Sequence, residues 1–254
     1  MKKPNKKKKP TLLVPKPISF NLYSRDEKGI EKNGTKAFVD KDLKLIKTKS
    51  KMERGLFLKN VAHNATYFIK PISPKQISIL KKMKLNGIKT EKVMQNLKNG
   101  TFLIKKQGYS LDSKKGQELI KKFGPMNILV NLEELIAKFH SLGISHNHLH
   151  MGNLCIDKKG NLYIIDLSLA KSFKVPAKVD IDWLAKKFFH DIKFFSSSAS
   201  LLLLQSNKRS HLTPYEFTKS IQGNILNYYG KYFKLSPKEI VLLERKLNPP
   251  KKQR

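Results

Sequence analysis

Cysteine is almost absent from this sequence, and so are long apolar runs. The single cysteine, Cys155, cannot form a disulfide within the chain, which is typical of proteins in a reducing compartment. No segment approaches the roughly 20 consecutive apolar residues that span a bilayer, and the leucine run at residues 201–204 is far shorter. The basic N-terminus is not followed by the apolar core of a secretory signal. These absences predict an intracellular, cytoplasmic protein without a transmembrane segment.

Acidic residues are also scarce in this sequence. The 254 residues include 19 Asp and Glu against 52 Lys and Arg, which gives a formal net charge of +33 and a pI of about 10.1. A chain this basic attracts polyanions, so nucleotides, RNA, anionic membranes and acidic proteins are candidate partners. Most of the excess is lysine spread along the whole sequence, which a lysine-rich proteome or growth at high temperature also produces. Charge alone therefore does not choose among these partners.

Composition and periodicity divide the chain into five parts. Residues 1–17 are rich in lysine and proline and predict a solvated basic tail, with an electrostatic anchor as the alternative. Residues 18–42 form an N-terminal extension that holds a possible strand. Residues 43–109 alternate in the manner of strands, and residues 110–248 are mainly helical in pattern. Residues 249–254 are a basic end that follows two prolines.

The first patterned part predicts a small α+β lobe. Ser73 and Pro74 have the chemistry of a helix start, and Asn86-Gly87 that of a helix end, so a helix is expected between them. Short runs rich in strand-forming residues lie on both sides of this helix. The lobe is therefore predicted to hold one helix and five strands, at residues 43–47, 55–61, 66–72, 91–97 and 100–107.

The second patterned part predicts helices around one hairpin. Helical spacing of apolar residues is present at residues 113–123, 127–142 and 179–195. Two short apolar runs on either side of residues 158–160 predict a tight hairpin. The remainder, up to residue 248, is expected to be helical with turns.

Chemistry-bearing residues concentrate in residues 144–171, ISHNHLHMGNLCIDKKGNLYIIDLSLAK. A histidine-rich loop follows a long helix, and the second strand of the hairpin ends in Asp166. This order resembles the catalytic loop (HxDxxxxN) and the Asp-led metal-binding triplet of the protein-kinase superfamily. His146 matches the leading histidine, Asn153 the asparagine, and Asp166 the aspartate of the triplet. The local form HxxLHxGN is similar to small atypical kinases: RIO-type kinases, the small kinase of the tRNA-threonylcarbamoylation complex, lipopolysaccharide-core kinases and aminoglycoside phosphotransferases.

The resemblance implies a bilobal kinase-like fold that binds ATP and Mg²⁺. Asn153 and Asp166 would hold the metal, and Lys70, in a third-strand pattern Phe-Ile-Lys, would contact phosphates. His146 would be a packed structural histidine. Asp180, in the segment DIDWLA, would anchor the catalytic loop from the next helix.

Three positions depart from the family pattern. His148 occupies the position of the catalytic aspartate, where an imidazole can accept a proton near neutral pH but cannot orient a hydroxyl as an anion does. Gln76 aligns best with the glutamate that pairs with the third-strand lysine, with Glu53 and Glu91 as less natural candidates, and a neutral amide cannot neutralise Lys70. Residues 47–54, KTKSKMER, stand where a glycine-rich loop should cover the phosphates.

These departures leave three hypotheses open. The first is a pseudokinase-type regulatory or scaffolding protein that binds ATP and Mg²⁺ at best, with weak or absent phosphoryl transfer. The second is an active phosphotransferase that uses His148 as base on a protein hydroxyl or a small polar substrate. The third is a basic RNA-associated module that reuses the fold. A zinc site at His146, His148 and His150 is not favoured, because no cysteine or further histidine lies nearby.

Overall fold

The computed structural model describes residues 25–26, 29–30, 37–39, 67–98, 101–105, 107–206 and 212–249. The predicted strands at residues 43–47 and 55–61 lie outside these ranges. So do the basic tail of residues 1–17 and the segment KTKSKMER. Those predictions therefore stay predictions.

A four-stranded antiparallel sheet forms one end of the described structure. Its strands are β3 (Ala37–Val39), β4 (Tyr67–Pro71), β5 (Lys92–Lys98) and β6 (Thr101–Lys105), in the spatial order β3-β4-β6-β5. A separate two-residue hairpin, β1 (Arg25–Asp26) with β2 (Gly29–Ile30), precedes it. Strand β3 belongs to the segment that the sequence analysis treated as an N-terminal extension. The sheet therefore uses chain from before residue 43.

Helix α1 (Pro74–Leu85) connects β4 to β5 and begins where the sequence predicts. Ser73 caps it, because the Ser73 hydroxyl accepts from the Gln76 backbone N–H while the Gln76 side chain accepts from the Ser73 N–H. Ile79 and Met83 face inward and are buried. The helix thus packs one apolar stripe against the core and leaves its lysines in solvent.

Two smaller sheets follow. Strand β7 (Tyr109–Ser110) pairs with β9 (Leu154–Ile156), which pairs with β10 (Leu162–Ile164) to make the predicted hairpin. Strand β8 (Ile144–Ser145) pairs with β11 (Lys171–Ser172). The segment after α1 is joined to the hairpin, since the Ile164 N–H donates to the Lys89 carbonyl and the Thr90 hydroxyl donates to the Ile164 carbonyl.

Five helices make up most of the remaining chain. They are α2 (Lys114–Phe123), α3 (Pro125–Ser141), α4 (Ile181–Ser206), α5 (Pro214–Phe233) and α6 (Pro237–Leu247). Three of them begin at a serine or threonine cap whose side chain accepts a backbone N–H: Ser113, Thr213 and Ser236. The described chain is therefore an α+β protein, in agreement with the predicted class, and α4 extends well past the predicted end at residue 195.

One apolar core joins the sheet to the helices. Buried side chains continue from Ile104 in β6 and Met83 in α1 through Leu132 in α3 to Phe188 in α4 and Ile225 in α5. Burying side chains of this size stabilises the fold by about 1.5–3 kcal/mol each. Within the described ranges, none of the helices combines the length and the hydropathy of a membrane span.

Glu133 is a carboxylate placed inside this core. It lies on α3, is 1% exposed, and accepts a hydrogen bond from the Asn224 side chain of α5 at 3.3 Å. Burial raises the pKa of Glu133 from its ordinary value of 4.5 to about 7, and the hydrogen bond from Asn224 only partly offsets this. The folded protein therefore resists ionisation of Glu133, whereas the unfolded chain does not.

We expect Glu133→Gln to stabilise the protein at high pH and to change little at low pH. Below 4.5 the carboxyl is neutral in both states, and as the pH rises from there toward 7 the wild type loses stability relative to the variant. The difference should reach about 1–2 kcal/mol near pH 8, after allowance for screening by water. Urea unfolding across the pH range measures it. Glu244→Gln, at an exposed position of α6, is the control and should show no such trend.

Candidate functional site

The loop between β8 and β9, residues 146–153, is held by one buried carboxylate, that of Asp191 on α4. Asp191 accepts the backbone N–H groups of His146 at 2.6 Å and Asn147 at 2.7 Å. It also accepts the Ser145 hydroxyl at 3.0 Å and the Nε2–H of His140 at 3.2 Å. A carboxylate that accepts four donors fixes the backbone at the start of the loop.

Asp191 remains ionised despite being fully buried. Burial alone would raise its pKa, but the hydrogen bonds from His140, from the His146 backbone and from Ser145 outweigh burial and hold the pKa below its usual value. His140 is itself oriented by Tyr229 on α5, whose buried hydroxyl donates to His140 Nδ1 at 2.6 Å. A buried chain of polar groups thus links α5, α3 and α4 to the loop.

His146 connects the loop to the segment that carries Asp166. Its imidazole is fully buried, and its Nε2 donates to the Ile165 carbonyl at 2.8 Å. Burial lowers the pKa of His146, and its Nδ1 has no hydrogen-bond partner among the described residues. A neutral imidazole with its proton on Nε2 satisfies this geometry. His146 is thus a buried histidine that positions the residue directly before Asp166.

Asn153 ends the loop and lies beside the Asp166 segment. The Ile165 N–H donates to the Asn153 carbonyl at 2.9 Å, which continues the β9–β10 ladder by one step. The Asn153 side-chain nitrogen donates to the backbone carbonyl of His148 at 2.9 Å. Because the amide nitrogen is used here, the amide oxygen is the atom that can ligate a cation.

Asp166 adopts left-handed backbone angles, with φ 58° and ψ 61°. This conformation costs an ordinary residue about 1–2 kcal/mol, although aspartate tolerates it better than most. The Asp166 N–H donates to Glu91 Oε1 at 3.0 Å. Glu91 is buried and lies just before β5, so the sheet side of the molecule helps to hold Asp166. Backbone contacts thus fix both Asn153 and Asp166.

Two other candidates, Asp180 and Gln76, make contacts that the sequence analysis did not predict. Asp180 is exposed, and its carboxylate accepts the Trp183 N–H at 2.7 Å, which makes it the cap of α4. The loop anchor is therefore Asp191, eleven residues later, and not Asp180. The side chain of Gln76 completes the capping box of α1 on Ser73, and its pairing with Lys70 stays a prediction. Its position in the first helical turn explains this use. Lys70 lies on β4, where its backbone pairs with Phe102.

His148 projects from the loop into solvent. The His148 ring stacks on Phe194 of α4, with 5.6 Å between centroids and 27° between planes. The His150 ring packs edge-on against the His148 ring, with 4.6 Å between centroids. His150 Nδ1 accepts the Gly152 N–H at 3.0 Å. A Cβ at residue 152 would lie 2.6 Å from the His150 ring, so a larger residue there would require the His150 side chain to move.

The donor atoms fit Mg²⁺ better than zinc. One carboxylate and one amide oxygen are hard ligands of the kind Mg²⁺ takes when waters and substrate phosphates complete its shell. Among the described residues, no three His, Cys, Asp or Glu side chains cluster in a way that could hold a metal by themselves. Zinc would require such a cluster.

Sequence analysis missed Asp191, His140 and Tyr229, and it considered Glu91 only as a less natural lysine partner, not as a contact of Asp166. A signal for Asp191 was present, since it falls within the apolar stripe Leu184, Phe188, Ile192 and Phe195 of α4, all buried. A lone carboxylate in such a stripe must have buried partners. Glu91 carried no comparable signal, because its neighbours are polar and its contact spans 75 residues of sequence.

Replacing Asp191 or Asp180 by asparagine distinguishes the roles of the two residues. Asp191→Asn replaces an acceptor with an N–H₂ group that faces donors, so we expect a loss of about 2–4 kcal/mol in the free energy of unfolding. Amide hydrogen exchange at His146 and Asn147 should also accelerate. Asp180→Asn should change stability by less than about 0.5 kcal/mol, because asparagine caps helices equally well. Equal losses in both variants would contradict the assignment of the anchor.

No protein-family model matches this sequence. Among solved structures, the chain is similar to the kinase PK-1 of Cydia pomonella granulovirus, with 15% identity and a TM-score of 0.39. The match covers 71% of this chain and 78% of that chain. This similarity is distant, so the contacts around Asp191, Asn153 and Asp166 carry the functional proposal.

Proposed function

We propose that this chain is a kinase-like protein that binds ATP with Mg²⁺ and transfers phosphoryl groups weakly or not at all. The observation that carries the proposal is the Asn153 side chain, whose nitrogen donates to the His148 carbonyl while Ile165 pairs with the Asn153 backbone. Because Ile165 pairs with Asn153, Asp166 follows directly at the same end of the hairpin, which supports the assignment of both residues to one site. The Asn153 amide oxygen and the Asp166 carboxylate would hold the metal, which when bound would neutralise phosphate charge.

The remaining supports of the loop favour an intact nucleotide site. Asp191 holds the start of the loop, His146 holds Ile165, and Glu91 holds the backbone of Asp166. Preorganised ligands lose little freedom when a metal and its nucleotide bind. Lys70 on β4 is assigned to the phosphates, and the strongly basic chain favours an anionic ligand.

Weak transfer follows from the side chain at residue 148. The family uses a carboxylate there to orient the attacking hydroxyl and to accept its proton, and this chain has an exposed histidine. A scaffolding or regulatory role through a protein partner is the function that remains when transfer is lost. The alternative, transfer with His148 as base, has one observation in its favour: the imidazole is open to solvent and an acceptor could reach it.

MgATP should stabilise the wild type and not Asp166→Asn or Asn153→Ala. At 100 times its Kd, a ligand adds about 2.7 kcal/mol to the free energy of unfolding. For a chain of this length, that gain raises the Tm by about 5–10 °C. Thermal unfolding with ATP in the presence of Mg²⁺ or of a chelator measures the shift.

Asp157→Asn is the matched control for this experiment. Asp157 lies in the β9–β10 turn and bonds Asn161 and Tyr163, so its loss should lower the starting Tm but leave the MgATP shift intact. A wild type that shows no shift at millimolar MgATP would overturn nucleotide binding and leave a scaffold.

Restoring the carboxylate should raise phosphoryl transfer. We expect His148→Asp to increase transfer from ATP to protein hydroxyls by about 10²-fold or more, since a positioned base contributes that much. Transfer of labelled phosphate, including autophosphorylation, measures it. Adding Asp166→Asn to this variant should remove the gain. If His148→Ala instead abolishes a robust wild-type activity, the histidine is the base and the protein is an active kinase.

A further inference from the structure

An exposed face of α4 lies directly beside the loop. The spacing of its residues places them on one side of the helix, and all six are exposed: Lys186, His190, Lys193, Phe194, Ser197 and Leu201. Phe194 is 41% and Leu201 61% exposed. The opposite side of α4 is buried against the core. We refer to these six residues as the α4 face.

Aromatic contacts make the α4 face continuous with the loop. The His148 ring stacks on Phe194, and the His150 ring meets Phe194 edge-on with 5.8 Å between centroids. His190 stacks on the same phenyl ring at 5.9 Å and 15°. Ser198, next along the helix, accepts the Met151 N–H at 3.3 Å. Three imidazoles therefore surround one exposed phenyl ring at the position where an acceptor would approach.

The two lysines of the α4 face have no local compensation. In the described chain, neither Lys186 nor Lys193 forms an ion pair. Of the carboxylates nearby, Asp180 caps the helix, Asp182 pairs with Lys246, and the buried Asp191 lies 3.9 Å from His190 Nδ1 but holds the loop with its hydrogen bonds. Two ammonium groups and the imidazole N–H groups thus present donors to solvent on a single surface.

We propose that the α4 face binds an acidic polypeptide segment, which is the acceptor or the regulated partner of the function proposed above. Carboxylates of such a segment complement the lysines and the imidazole donors, and an apolar side chain fits beside Phe194 and Leu201. Single-stranded RNA is the less suitable occupant. A base would need an open aromatic ring for stacking, and imidazoles already stack on Phe194.

The test measures binding, so it does not depend on phosphoryl transfer. A fluorescent peptide with one serine among glutamates is titrated with the full chain at roughly physiological salt, beside a peptide with glutamines in place of the glutamates. The acidic peptide should bind and the glutamine peptide should not. Lys193→Glu should weaken binding by about tenfold, because it places like charge against the peptide.

Lys158→Glu is the control for overall charge. It makes the same charge change at an exposed residue in the β9–β10 turn, at the other end of the hairpin from the loop, and should alter binding by less than about twofold. His190→Gln should weaken binding as well, with the fold unaffected at this exposed site. Equal losses in Lys193→Glu and Lys158→Glu would overturn the proposal in favour of non-specific attraction to a basic chain.

Two further outcomes separate this proposal from its rivals. If oligouridylate displaces the acidic peptide and its own binding falls in Lys193→Glu and His190→Gln, the α4 face is an RNA surface and the proposal fails. Repeating the titration with Asp166→Asn isolates the nucleotide site. Peptide binding that persists there supports the α4 face whatever MgATP does, whereas a missing MgATP shift in the wild type counts against the proposed function alone.

Discussion

The carboxylate of Asp191 is the interaction on which the candidate site depends. A buried charge destabilises a protein by several kcal/mol unless donors satisfy it, and Asp191 has donors from His140, Ser145, His146 and Asn147. Two of these are backbone N–H groups of the loop, which would otherwise be buried without acceptors. The stability of the helical core and the geometry of the loop therefore depend on the same carboxylate. The Tyr229–His140 pair extends this dependence to α5, so the loop conformation requires three helices to be in place.

A series of hydrogen bonds to backbone groups connects Asp191 to Asp166 and fixes the segments between them. His146 is fixed at its N–H by Asp191 and holds the Ile165 carbonyl with its ring, and Asp166 follows at once. Glu91 reaches Asp166 from the segment between α1 and β5, which is itself joined to β10 through Thr90 and Ile164. The two proposed metal ligands are thus held from opposite sides of the molecule. A shift of the sheet relative to the helices would therefore act on Asp166 through its hydrogen bond to Glu91.

Local chemistry could be predicted from the sequence, and long-range pairing could not. Ser73 with Pro74 and the apolar periodicity of residues 127–142 gave helices close to α1 and α3, because caps and periodicity act within a few residues. The two apolar runs on either side of residues 158–160 correctly predicted the hairpin of β9 and β10. Asp180 was assigned as the anchor through the resemblance of the segment DIDWLA, but only the buried stripe of α4 identifies Asp191. Gln76 was assigned as the partner of Lys70 by its order along the chain, whereas its capping box follows from its place in the first turn of α1. The contact between Glu91 and Asp166 joins distant segments that share no periodic signal.

The supports of the loop also explain how residue 148 could change without loss of the fold. Asn153 bonds the backbone carbonyl of His148, and the side chain of His148 projects into solvent against Phe194. Any residue at this position offers the same carbonyl, so the 2.9 Å hydrogen bond from Asn153 survives a change of side chain, and only the longer 3.3 Å contact of Asn153 Nδ2 with His148 Nδ1 would be lost. Exposed substitutions of this kind usually change stability by less than about 0.5 kcal/mol. The fold therefore depends on Asp191, His146 and Asn153 and places no demand on a carboxylate at residue 148. The proposed metal ligands and the proposed base thus depend on different contacts, so a change of the side chain at residue 148 leaves the supports of Asn153 and Asp166 in place.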